Sequence, residues 1–379
     1  MSLVEPERTA RVSTLELFFD LVFVFTITQL TNVLVSGGDV AAVAQVVVML
    51  AVIWWMYDGY AWLTNAIATD HIRHRLLLIG GMGGFLVIAL AVPKAYSSDG
   101  LAFGLAYLAV VVLHASMYVR GTSPREIAAI LRLVPFNLSA AVLVLVGGAF
   151  GGAAQWVLWT LAALLVWASP RFTSTEGFVI AASHFVERHG LVVIIALGES
   201  IVVLGAGAAD LDLDEALVLV ALLSLALSAS LWWMYFSDED AVEHSLSAAP
   251  EKARPQLALT AFGYWHYGLL LAVVAVAAGL KKAIGDPHGS LDELIAIELA
   301  AGAALFVACD VGFRRTLGLS RSEIRLAAAA FMLATIPVGT AVSATAQVGA
   351  LAAIAVLALA AEGVVVRKGR RSGPSAQQS

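Results

Sequence analysis

Residues 191–204 read Leu-Val-Val-Ile-Ile-Ala-Leu-Gly-Glu-Ser-Ile-Val-Val-Leu, and this run decides the class of fold. Its apolar residues are continuous rather than alternating, so it is neither a half-buried strand nor a strand of an outer-membrane barrel. Followed outward it extends over about 184–208, enough for a helix to cross a hydrocarbon layer roughly 30 Å thick. The run Leu217–Leu227 has the same character. Of the 379 residues, 60% are hydrophobic and 13% charged, and the mean hydropathy is +0.88. An average soluble domain carries roughly 25% charged residues, so the chain is expected to be an all-α integral membrane protein whose outer surface meets the lipid bilayer.

Polar and Gly/Pro breaks divide the chain into twelve transmembrane spans, at about 14–36, 40–66, 76–93, 99–119, 126–148, 153–169, 184–208, 213–236, 256–280, 291–312, 322–344 and 348–366. An even number places both termini on one side. Short loops on the cytoplasmic side collect Lys and Arg. Of the 22 such residues, 18 fall on the side of the termini, Arg8, Arg73, Arg188, Arg314 and Arg325 among them. Lys94, Lys281 and Lys282 fall on the other side, and Arg132 lies inside the fifth span. A bacterial cytoplasmic membrane with both termini cytoplasmic is the expectation. Residues 1–13 read as a polar arm without a cleavable signal pattern. The single cysteine, Cys309, excludes an internal disulfide and reads as a small core residue.

Ile53-Trp54-Trp55-Met56-Tyr57 recurs as Leu231-Trp232-Trp233-Met234-Tyr235, and Ser123-Pro-Arg-Glu-Ile127 recurs as Ser320-Arg-Ser-Glu-Ile324. Two parallel six-helix repeats follow as the simplest organisation, related by an axis along the membrane normal. They are expected at 14–170 and 184–367, with a linker at 171–183 and a basic, polar tail at 368–379.

Ionisable groups in lipid are costly, so each is a functional candidate weighed against a packed hydrogen bond. Glu16 and Asp20 lie i,i+4 on one face of the first span; both also fit the ordinary preference of acids for a helix N-terminus. His184, Glu187 and Arg188 open the seventh span, where a local i,i+3 and i,i+4 ion-pair network is the plain alternative. Glu199 lies deep in the apolar run and needs a partner, a proton or water. Asp58, His114, Asn137, His266, Glu298 and Asp310 are isolated polar residues of the kind that bond across helices. Gly80-Gly81 and Gly83-Gly84 allow close packing or a broken helix.

The chain has no phosphate-binding loop, no Gly-x-Ser-x-Gly elbow and no His-Glu-x-x-His pair. His184 and His189 stand roughly 140° apart around a helix, poor geometry for one metal. No enzyme activity, cofactor, bound metal or nucleic-acid partner is expected.

Glu16-Leu-Phe-Phe-Asp-Leu-Val-Phe-Val-Phe25, together with His184-Phe-Val-Glu-Arg-His-Gly-Leu191 and Ala196-Leu-Gly-Glu-Ser-Ile201, resembles the bacterial low temperature requirement protein A family over about residues 10–365. The resemblance implies a membrane-embedded protein and leaves the mechanism open. Phe-Phe-Asp in the first span also looks distantly like the Phe-Ser-Asp motif of TMEM175-type potassium channels, which are built from six-helix repeats; here Phe19 replaces the serine and the preceding arginine is absent. The leading expectation is a secondary transporter for a small solute or ion. Its polar site is expected between the repeats, built from Glu16, Asp20, His184, Glu187 and Glu199 with Arg188 compensating the acids; Asp58 and His266 are further candidates. In this reading Glu199 carries the proton or cation. A cation channel and a non-transporting structural membrane protein are the alternatives, and a homo-oligomer stays open.

Overall fold

The computed structural model describes residues 12–67, 71–209, 211–319 and 323–371. Residues 1–11 of the N-terminal arm, Ser320-Arg321-Ser322 of the recurring motif and 372–379 of the tail lie outside the described residues. All regular elements among those described are helical. The first six spans are α1 (Thr14–Gly37), α2 (Val40–Ala66), α3 (Ile72–Ala91), α4 (Gly100–Gly121), α5 (Pro124–Phe150) and α6 (Gly152–Phe172). The next two are α7 (Ala182–Ala208) and α8 (Glu215–Phe236), the latter followed by the polar α9 (Glu239–Ala248). A ninth span joins α10 (Arg254–Ala258), a π-helix (Leu259–Tyr264) and α11 (Trp265–Gly285). Then come α12 (Glu293–Thr316), α13 (Glu323–Leu333), α14 (Ile336–Ala341) and α15 (Ala344–Arg371). Twelve of the resulting helical stretches are long and apolar enough to cross a membrane, which makes this an all-α membrane protein in contact with the bilayer.

Local chemistry sets the boundaries. Ser13 and Ser123 form capping boxes with Glu16 and Glu126, and Asp39 and Asp214 accept from the backbone N–H three residues on. The eleventh span is broken between α13 and α14 at Ala334-Thr335, just before Pro337, which lacks the N–H a continuous helix needs there. Sequence periodicity predicts one helix over 322–344 and does not register the break.

Packing follows a recurring order. Helix α1 lies on α2 and α3, α3 on α4, α4 on α5, α5 on α6, and α2 on α4 and α6. Among the later spans α7 lies on α8 and α11, α11 on α12, α12 on α13, α13 on α15, and α8 on α12 and α15. Helices α1, α7 and α11 meet one another where the two sets join. Small residues permit the close approaches: a Cβ on Gly148 would sit 2.0 Å from the Gly100 carbonyl oxygen, and one on Gly84 would sit 2.5 Å from Val110 Cγ2. Helix α3 is continuous through Gly80–Gly84, so there is no break here; Gly81 and Gly84 serve close packing, against Tyr60 and Val110, while Gly83 faces open space. Leu21, Leu164, Leu222 and Phe331 point outward, as suits a surface solvated by acyl chains.

Candidate functional site

The capping box that starts α1 also holds the first functional side chain. Glu16 Oε2 accepts from the Ser13 backbone N–H at 2.8 Å and from its hydroxyl at 2.7 Å. This fixes the carboxylate so that Oε1 faces α7, 3.1 Å from His184 Nε2 and 3.6 Å from the Arg188 guanidinium. One turn further on, Asp20 Oδ1 lies 3.0 Å from Arg188 and also accepts from the Tyr57 hydroxyl of α2. Arg188 is 5.9 Å from the ring centroids of both Phe19 and Tyr57, within cation–π range. Glu16, Asp20 and Arg188 are 2%, 0% and 1% exposed, so these charges have exchanged water for each other.

Hydrogen-bond partners fix the histidine protons. Asn65 is held by the Ala181 backbone N–H at 3.0 Å and the Ala181 carbonyl at 3.1 Å, so its amide nitrogen points at His184 Nδ1, 3.3 Å away. Nδ1 therefore accepts, and a neutral His184 carries its hydrogen on Nε2, the nitrogen that lies 3.1 Å from Glu16 Oε1. His189 Nδ1 faces the Phe185 carbonyl at 2.8 Å and must carry a hydrogen, while Nε2 is 3.0 Å from Asp58 Oδ1. Two lone pairs at that distance repel, so one proton lies between Asp58 and His189 and the pair is neutral overall. His266 donates from Nδ1 to the Ala261 carbonyl and accepts at Nε2 from the Tyr235 hydroxyl, which makes it neutral too. With His184 and the Asp58–His189 pair uncharged, the Glu16–Asp20–Arg188 cluster holds two carboxylates against one guanidinium. Among the described residues, Asp20 Oδ2 is buried without a hydrogen-bond partner.

Of the residues singled out from the sequence, Glu16, Asp20, His184 and Arg188 come together in this one network. Glu187 is peripheral: it is half-buried and accepts from the Val12 N–H at 3.2 Å. Glu199 lies about 16 Å along α7 from Arg188 at 1.5 Å per residue. It is buried against Thr28 of α1 and within the field of Lys281 of α11, with Oε1 unpartnered. Lys281 also donates to Asn32 at 3.0 Å. The expected single site is thus two stations along the α1–α7–α11 junction, separated by the buried Phe23, Ile27, Val192 and Ala196.

Sequence reasoning misses several partners. It weighs His189 only as a possible metal ligand and sets it aside, whereas the structure pairs it with Asp58, 131 residues away. It also counts Arg314 and Arg325 as loop cations, whereas both are buried where α8, α12, α13 and α15 meet. Arg325 reaches Glu362 at 2.7 and 2.9 Å, the Met234 carbonyl at 3.0 Å, and Asp310. Arg314 binds Asp310 at 3.1 Å, Ser237 at 2.8 Å, and Asp238. Asp310 preceding two arginines was the available signal.

Ion pairs buried between membrane-spanning helices define a polytopic α-helical membrane protein that retains charged side chains inside its helix bundle. The bacterial low temperature requirement A protein family matches residues 11–361, and the chain belongs to that family. It is 29% identical over 317 residues to an uncharacterized protein of Rhizobium meliloti (strain 1021), covering 79% of this chain and 76% of that one.

Proposed function

We propose that the protein is a secondary transporter coupled to a proton or monovalent cation through the carboxylates at the α1–α7 junction. The observation that carries this is the uneven charge of the network: among the described residues Glu16 and Asp20 share one Arg188, and Asp20 Oδ2 has no partner. An uncompensated charge in a low-dielectric interior favours uptake of a neutralising ion. Once Asp20 is neutralised, its attraction for Arg188 falls and the α1–α7 contact loosens, which links ion binding to movement of one helix set against the other. Glu199, Thr28 and Lys281 supply the second station further along. The recurring packing order and the Trp54-Trp55 and Trp232-Trp233 pairs support two parallel six-helix repeats as the moving bodies.

Purified protein in proteoliposomes, offered a panel of labelled solutes under a pH gradient, should show gradient-driven uptake. Asp20→Asn and Glu199→Gln keep side-chain shape but cannot titrate, so each should leave thermal melting within a few degrees and abolish the pH dependence of uptake. Unaltered pH dependence in both variants overturns coupling through these acids, and ohmic single-channel currents make the protein a channel instead.

The excess of loop Lys and Arg on the side of the termini supports a cytoplasmic location for both ends in a bacterial membrane. Tags at either terminus should therefore survive external protease on intact cells, while tags at residues 97 and 286 should be cleaved. The reverse pattern overturns this orientation.

A further inference from the structure

Between α2, α4, α5, the end of α6 and Leu259 lies a cavity of about 60 Å³, lined by Trp55, Trp62, Tyr118, Asn137, Phe178 and Asp58. The 173–178 segment covers it and is pinned by Arg132, whose guanidinium donates to the carbonyls of Ser174, at 3.1 Å, and Glu176. That gives the cation inside the fifth span a task. The cavity is too small for a benzene-sized ligand, which occupies about 150 Å³, and holds roughly two waters' worth of space. Its walls are aromatic and its charged group is a carboxylate. Asp58 is buried, with Oδ1 engaged by His189 and Oδ2 free of hydrogen bonds among the described residues.

The later helices offer a comparison. In the same order of spans, between α8, α12, α13 and α15, the pocket beside Trp233 is lined by two cations of the chain itself, Arg314 and Arg325, set against Asp310 and Glu362. The earlier cavity has the aromatic wall and the acid but no guanidinium among the described residues that line it.

We propose that the Asp58 cavity binds a small organic monocation, between ammonium and guanidinium in size, through the Asp58 carboxylate and the surrounding aromatic rings, and that binding expels the proton shared by Asp58 and His189. This deepens the transporter reading and rests on it for its physiological use, naming a substrate class. The balance is simple. The neutral pair holds one proton; an N–H of the bound cation replaces it as the donor between the ionised Asp58 and His189 Nε2, so no two lone pairs are left facing each other, His189 stays neutral with Nδ1–H on the Phe185 carbonyl, and one proton leaves. The other titratable groups around the pair are Tyr118 of α4, Tyr264 of the π-helix, His266 of α11 and Asp20 of α1. His114 donates to the Gly59 carbonyl at 2.9 Å on the cavity wall.

Guanidinium chloride at millimolar concentration is a suitable probe because it stays charged. Added to purified protein in lightly buffered detergent solution near neutral pH, it should quench tryptophan fluorescence saturably and release about one proton per protein. Tetraethylammonium, too large for the cavity, should do neither. Asp58→Asn should abolish both signals. Leu133→Phe, which narrows the cavity without touching a charge, should weaken binding at least tenfold with melting unchanged, and it decides the matter if Asp58→Asn does not fold. Absence of proton-linked binding in the folded wild type, or its persistence in Leu133→Phe, overturns the proposal. Binding needs no gradient, so its failure leaves solute flux untouched; intact binding without gradient-driven flux overturns only the transporter reading.

Discussion

Replacing Arg188 with methionine is expected to destabilise the folded bundle by about 3–5 kcal/mol, because removing one member of a buried ion cluster strands the others. Glu16 and Asp20 are both buried, and among the described residues neither has another cation within salt-bridge distance once His184 is neutral. Their cheapest response is to take up protons, which would still leave buried carboxyls short of partners. The loss of charge can be separated from the loss of volume. A triple variant, Glu16→Gln, Asp20→Asn and Arg188→Met, removes every charge together and should recover a large part of the stability, since replacing a whole buried cluster is often close to neutral. Thermal unfolding in detergent, followed by helical circular dichroism, reads both effects. A single Arg188→Met variant that melts like the wild type would refute the view that Arg188 holds α1 to α7.

The second large effect belongs to the opposite junction. Arg325→Lys should cost almost as much as Arg325→Met, on the order of 3 kcal/mol, although it keeps the charge. Arg325 engages Glu362 with two nitrogens while also reaching Asp310 and the Met234 carbonyl. A planar guanidinium can serve α15, α12 and α8 at once, whereas an ammonium presents one compact charge and must abandon at least one of them. The same melting experiment tests this; a lysine variant as stable as the wild type would show that charge alone suffices.

How far these sites were legible in the sequence follows from the range of the interactions. The twelve spans were readable because apolar run length and cation asymmetry are local or nearly local signals. Glu16 with Asp20, and His184 with Arg188, were visible as helical-face pairs. That the two pairs meet depends on α1 lying against α7, a contact across some 170 residues that one sequence does not encode in any periodicity. Glu199 was recognisable as a buried acid, yet its 11-residue distance from Arg188 already placed it about three turns nearer the far side. Asp58–His189 and the Arg314–Arg325 network were hidden for another reason: a charged residue near the end of an apolar run looks the same whether it faces a loop or a packed junction.

The π-helix at Leu259–Tyr264 acts as a rotational setting for the whole of α11. Its wide turn takes the Trp265 N–H back five residues to the Thr260 carbonyl. Carbonyls in this stretch are then available to side chains: Ala261 accepts from His266, and Gly263 accepts from Trp54 at 2.8 Å. One residue more or less in a helix swings everything beyond it by about 100°. Shortening this stretch to an ordinary α-helical turn would carry Gly268 off Cys309, against which it is packed so closely that an added Cβ would come within 2.3 Å of the sulfur. It would also turn Lys281 away from Asn32 and Glu199. A single-residue length difference near the start of one span thus sets which side chains face the junction at its far end, and the chain is far less tolerant of insertion or deletion here than in a uniformly wound helix.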